Sequence, residues 1–237
     1  MHARRAPLFL RATALTLGAT LVGLVAILCT GTYLTWSYSS LPDLLPVRFR
    51  WDGQPIGWQF RTLPRVLIPV GVQLGLFATF GAVSALLLYR SDRDTTTRTP
   101  DTIAACDAAE AVMLMAATWV GFQAYAGVAL VRLWTSGRAT LGLGYTALEA
   151  ACLVATIIVG LRARRRLGRP DPLPYVPAHW RLGELYCNGR DAALFVPTRR
   201  GGRWTLNFGR PAAVLLLGGI LAVGILMPTL VLALALR

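Results

Sequence analysis

Glu149 is the residue best placed to do chemistry, because it is the one charged side chain inside a long apolar stretch, Ala139–Leu161. An ionisable group about eight residues into such a stretch costs at least ~2.5–3.5 kcal/mol in hydrocarbon, so it must face protein or water. Gln73 and Gln123 fall at similar depth in two other stretches, Val66–Tyr89 and Ala111–Val131. Depth alone therefore predicts one polar layer of Glu149, Gln73 and Gln123, able to contact a proton, a cation or a peptide. The same three residues also suit interhelical hydrogen bonding, with Glu149 protonated or paired to Arg132. Asp107 and Glu110, one helical turn apart, open the third stretch, where acids favour a helix N-terminus. No nucleophile–base pair is present: the only histidines are His2 and His179, and no H-E-x-x-H, G-x-S-x-G or Walker pattern occurs. The four cysteines, Cys29, Cys106, Cys152 and Cys187, lack metal or disulfide-framework spacing, and Cys29 and Cys152 read as small core residues. An enzyme is not expected, nor a metal or cofactor.

The elements that must position these residues are five apolar stretches, Ala12–Leu34, Val66–Tyr89, Ala111–Val131, Ala139–Leu161 and Pro211–Leu236. Each is long enough to cross a bilayer as helix, the only open-chain form that satisfies its own backbone in lipid. The expected fold is a membrane all-α protein: five transmembrane helices with an extracytoplasmic hairpin and a small cytoplasmic β-rich segment. The chain is 55% hydrophobic yet carries a net charge of +13, and every basic residue is arginine. The arginines cluster beside the stretches, above all Arg162-Ala163-Arg164-Arg165-Arg166, which marks a cytoplasmic side and anionic headgroups better than nucleic acid. That rule predicts a cytoplasmic N-terminus and an extracytoplasmic C-terminus. The first stretch is too long for the core of a cleaved signal peptide and is read as an uncleaved helix.

The resulting plan is 1–34 (tail and first helix), 35–65 (outer aromatic hairpin), 66–89 (second helix) and 90–106 (cytoplasmic loop). It continues with 107–134 (third helix), 135–138 (short outer loop), 139–161 (fourth helix), 162–210 (basic cytoplasmic β-rich domain) and 211–237 (fifth helix). In the outer segment Val47, Phe49 and Trp51 alternate with Arg48 and Arg50 before an Asp52-Gly53 turn, and Ile56–Phe60 returns. In the inner segment a Pro-rich connector, 169–177, precedes strand-like runs Glu184–Cys187, Ala193–Val196 and Trp204–Phe208, with turns at Asn188-Gly189 and Gly201-Gly202. Trp204, Leu206 and Phe208 share one strand face, which predicts a small antiparallel sheet leaning on helices or membrane. Gly71 and Gly75 form a GxxxG pattern, a signal for close helix packing.

The run Leu41-Pro42-Asp43-Leu44-Leu45-Pro46-Val47-Arg48-Phe49, with Gly53, resembles an uncharacterised bacterial membrane domain also found in SdpI-type immunity proteins. Those proteins protect cells from a secreted antimicrobial peptide, and one also acts as a signal receptor that holds a repressor at the membrane. Members often carry histidine where this chain has Arg48, so no imidazole role carries over. The inner residues Trp180-Arg181-Leu182-Gly183, Tyr186-Cys187-Asn188, Asp191, Phe195-Val196-Pro197 and Gly202–Phe208 resemble a second uncharacterised family. The two-sided layout and this resemblance together lead to the expectation of a bacterial cytoplasmic-membrane protein whose outer hairpin either lies on the membrane or captures a ligand at Asp43, Arg48, Phe49, Trp51 and Trp58. The second resemblance implies an inner motif of Trp180, Gly183, Asn188, Asp191, Pro197, Trp204 and Asn207. The expected function is a membrane binding or accessory protein, in immunity or signal sensing. The alternatives are a small transporter or channel subunit using the Glu149 layer, and a structural subunit of a larger membrane complex. Expected partners are anionic lipid headgroups, an extracytoplasmic peptide or small ligand, and a membrane-protein partner, not nucleic acid.

Overall fold

The computed structural model describes residues 9–50, 54–89, 100–136, 143–172, 174–191 and 193–218. Helix dominates. Helix α1 is Ala14–Ser37, α2 a single turn at Leu63–Val66, α3 Ile68–Leu88, α4 Pro100–Ser136 and α5 Leu143–Leu167. All but α2 are long and apolar enough to cross a membrane. Residues 211–218 are helical as well, while the rest of the fifth stretch lies outside the described residues. Much of this apolar surface has no cover among the described residues: Ile157, Ile158 and Leu28 are 61%, 59% and 69% exposed. Water would penalise such faces at roughly 25 cal/mol per Å².

Two helices differ from the sequence reading. Helix α4 starts at Pro100, so residues 100–106, read as loop, are helical. Proline suits a first helical position, where its missing N–H loses nothing. Asp107 and Glu110 consequently lie two to three turns into α4 and do not act at its N-terminus. Helix α5 runs on to Leu167, so the arginine run read as the start of the β-rich domain is its last two turns. Cations there oppose the negative end of the helix dipole. Among the described residues nothing packs against Gly71 or Gly75, whereas Phe77 packs on Gly23. Cys29 is exposed rather than a core residue, whereas Cys152 is buried.

The contacts divide into two units. One takes the described residues of 18–78 and 114–158. Its hairpin pairs β1 (Leu44–Phe49) antiparallel with β2 (Pro55–Phe60), from Leu44 opposite Phe60 to Phe49 opposite Pro55, with a bulge between Pro46 and Arg48. The expected turn residues Asp52 and Gly53, with Trp51, lie outside the described residues. One hairpin face drops Leu45 onto a core of Leu34, Leu41, Val66, Val131, Leu133 and Trp134. Trp134 Nε1 donates to Pro46 O at 3.0 Å, fixing the strand to α4.

The other unit takes the described residues of 1–17, 79–113 and 159–231. The expected single sheet is instead two ladders. Strand β3 (Trp180–Arg181) pairs with β4 (Leu185–Tyr186), and β5 (Phe195–Pro197) with β6 (Trp204–Leu206). The β3–β4 turn is at Leu182-Gly183, with φ of 51° and 79°. Glycine adopts that left-handed region without a steric penalty, which explains Gly183. Asn188-Gly189 makes the expected turn between β4 and β5, with Asp191 N donating to Asn188 O at 3.3 Å, and the loop is stitched to Asn207. A core of Leu10, Leu87, Leu88, Ala105, Ala109, Leu194, Ala213 and Leu216 receives Phe195 and Leu206, so these strands lean on helices as expected.

Candidate functional site

The outer hairpin has the geometry of a presented surface. Alternation along β2 turns Ile56, Trp58 and Phe60 outward, at 57%, 59% and 72% exposure, with Leu44 beside them across the ladder. The hairpin base is held by polar bonds. Arg61 donates to Leu41 O at 2.5 Å and Tyr38 O at 3.0 Å, lies 3.3 Å from Asp43 Oδ1, and covers the Tyr38 ring at 5.0 Å. Arg65 donates to Phe60 O. Asp43 is therefore part of the clamp, although its carboxylate is mostly exposed. Arg48 lies across Gly57, where a side chain on the partner strand would meet it, so Gly57 makes room for the arginine stem. Phe49 belongs to β1 by its backbone, and Trp51 lies outside the described residues.

The expected layer of Glu149, Gln73 and Gln123 is not joined. Gln73 is wholly buried and donates from Nε2 to Thr30 Oγ1 at 3.1 Å and to Val120 O at 3.0 Å, while its Oε1 has no partner among the described residues. Glu149 and Gln123 are half-buried, and among the described residues no hydrogen bond or ion pair links Glu149 to Gln73, Gln123 or Arg132. Depth along a helix does not set direction around it: at 3.6 residues per turn, equal depth is compatible with any azimuth.

A polar cluster that sequence reasoning missed sits in the second unit. Glu110, 5% exposed, accepts Thr13 Oγ1 and Arg166 Nη1, each at 2.8 Å, and lies 3.8 Å from Arg162 Nη2. Arg166 also reaches Asp107 at 3.6 Å. Asp107 and Glu110 are three apart on α4, and Arg162 and Arg166 four apart on α5, so each pair shares a helix face. That complementary spacing was the available signal.

The inner motif converges on Asn207, which is fully buried. Its Oδ1 accepts from Asn188 N and Gly209 N, both at 3.0 Å. Its Nδ2 donates to Asn188 O, Asp191 O and Ala193 O at 2.9, 3.2 and 3.1 Å. Asp191 accepts the Tyr186 hydroxyl at 2.9 Å and Ala193 N at the same distance. Burial pushes the Tyr186 phenol up, the Asn188 bond partly opposes this, and the Asp191 carboxylate adds to the rise. Trp180 packs edge-on against Tyr186, with Val196 beside them. Pro197 faces Trp204 across the ladder, and Trp204 Nε1 donates to Leu167 O at 2.8 Å, capping α5. Asp101 Oδ1 accepts from Leu194 N and Phe195 N, docking β5 on the start of α4. All seven inner-motif residues thus have structural work, and none forms a catalytic pair. Among the described residues no three His, Cys, Asp or Glu side chains gather to hold a metal ion. Comparison with family models, curated proteins and solved structures finds no match to this chain.

Proposed function

We propose that the chain is an integral membrane binding protein, N-terminus inside. It would cross five times and present the β1–β2 hairpin to an extracytoplasmic peptide or small ligand. The observation that carries this reading is the row Ile56, Trp58 and Phe60, left open on a hairpin anchored from its other side by the wholly buried Leu45. Isolated exposed hydrophobics mean little, but a contiguous aromatic row on an anchored scaffold is the usual anatomy of an apolar contact surface. The exposed Arg50 at the end of β1 adds positive charge, so an amphipathic ligand with an acidic group fits best. The resemblance of residues 41–49 to the SdpI-associated domain narrows the proposal to immunity or peptide sensing at a bacterial cytoplasmic membrane.

Two measurements test this. A membrane-impermeant maleimide on intact cells is expected to label Gln54→Cys and spare Thr198→Cys; the reverse pattern overturns the orientation. Cells producing the chain are expected to survive a synthetic amphipathic antimicrobial peptide better than cells without it. Changing Ile56, Trp58 and Phe60 together to Ser is expected to remove that protection, because these side chains leave the fold untouched. Protection that persists in the triple variant removes the hairpin from the function, and none in the parent removes the immunity reading.

One observation favours a transport reading as a second choice: the buried Gln73 Oε1 is an acceptor unused among the described residues, amid apolar helices. Glu149→Gln in proteoliposomes tests it, and unchanged pH-linked flux discards it.

A further inference from the structure

The cytoplasm-facing end of α5 carries arginines that the Glu110 cluster does not use. Arg162 and Arg166 turn to Glu110, but Arg164, Arg165 and Arg169 turn away and, with Arg203 of the β5–β6 turn, line a cavity of about 1090 Å³. No acidic residue lines that cavity, and none of the four arginines has an acidic partner among the described residues. The walls are built rather than incidental. Trp204 is pinned to Leu167 O, Gly202 N donates to Pro170 O at 2.8 Å, and Gly201 lies so close to Pro172 that a side chain would not fit. A second basic recess, with Arg199 and Arg200, shares Gly201 and Arg203 with the first.

The cavity is two-sided in chemistry. At one end it includes Gly160 and Leu161, the last residues of the apolar face that also exposes Ile157 and Ile158. The arginines begin within one helical turn, about 5.4 Å further on. A soluble anion would use only the arginine end, whereas a lipid would lay its acyl chain along Leu161 and its phosphate among the guanidiniums. Arginine forks match phosphate oxygens, and basic pockets at the cytoplasmic ends of spans suit anionic headgroups.

We infer that this cavity is a discrete site for the phosphate of an anionic phospholipid. The inference rests on the membrane placement proposed above but not on any ligand of the hairpin. Full-length protein in mild detergent, titrated with phosphatidylglycerol, phosphatidylcholine or inorganic phosphate and read by native mass spectrometry, provides the test. Phosphatidylglycerol is expected to be retained at one copy per chain and phosphatidylcholine not. Arg165→Gln and Arg203→Gln lie on different elements and remove no internal partner; the pair is expected to lower retention roughly tenfold or more. Arg181→Gln with Arg190→Gln, equal in charge but outside the cavity, is expected to leave it unchanged. Equal loss in both pairs reduces the effect to general electrostatics and overturns the site. Binding of inorganic phosphate without lipid retention reassigns the cavity to a soluble anion and overturns the lipid. Release of the wild-type chain from membranes by alkaline carbonate would instead defeat the membrane placement itself, separately from the cavity.

Discussion

The outer hairpin and the inner β-rich lobe are both small antiparallel structures, yet they are held by opposite physics. The hairpin has six-residue strands and is anchored by apolar burial, with Leu45 wholly buried against the side chains of α1 and α4. The lobe has strands of two or three residues, too short to hold themselves by pairing. It is tied by one buried amide, Asn207, that serves five backbone groups. A region ordered by burial has a spare face to offer a ligand. A region ordered by a polar hub spends its polar groups on itself, and what it offers outward is the charge of its loops.

The sharpest way to break this contrast is Asn207→Ala. It takes the partner from the part-buried N–H groups of Asn188 and Gly209 and from the Ala193 carbonyl, while Asp191 O keeps Arg210 Nε and Asn188 O keeps Asp191 N; at roughly 1–3 kcal/mol for each unsatisfied group, the lobe is expected to lose about 3–4 kcal/mol. Hydrogen exchange is expected to rise across residues 180–209 and stay unchanged in 44–60; protection that persists at Leu194 would disprove the hub. The counterpart, Leu45→Ala, is expected to cost about 3 kcal/mol through lost burial and a residual cavity. Its exchange pattern should be the mirror image, with the hairpin opened and the lobe intact.

Legibility followed the same divide. The hairpin was readable because strand alternation and a turn pair are local signals: Ile56–Phe60 is β2 within one residue. Apolar length likewise revealed the four long helices. Helix ends were less readable: hydropathy marks what enters lipid, so the polar first turns of α4 and the arginine turns of α5 fell outside it. The residues of the inner motif were visible as a pattern, but their work was not. On strand alternation Asn207 belongs with Thr205 on a face apart from Trp204, and only three-dimensional closure of the 188–193 loop brings backbone groups to it. Among the described residues no bond joins Glu149 to Gln73 or Gln123, and depth alone could not specify one, whereas Glu110 meets its arginines because both partners repeat at helical spacing.

A smaller effect is expected at Glu110. Glu110→Gln keeps the side-chain shape but leaves Arg162 and Arg166 without their main counter-charge. Both guanidiniums are about half exposed and can rehydrate, so the loss should be about 1–2 kcal/mol rather than the 3–5 of a fully buried broken pair. Thermal unfolding in detergent reads it, and adding Arg166→Gln should restore part of the loss. An additive double variant would show that the two side chains are not coupled.

The smallest effect separates the lobe from the hairpin by pH. Tyr186 is buried, and its phenol is held above the ordinary tyrosine value. The unfolded chain therefore releases this proton first as pH rises. The stabilisation is fully present below the unfolded value near 10 and is lost as pH climbs through the higher folded one. Tyr186→Phe removes the bond to Asp191 and is expected to cost about 1 kcal/mol at neutral pH. It is also expected to flatten the alkaline loss of lobe protection, measured by hydrogen exchange between pH 8 and 11 after correction for intrinsic rates. An unchanged alkaline slope in the variant would move the titration to a group other than Tyr186. A flattened slope confined to residues 180–209 would show that the hub and its tyrosine open as one unit.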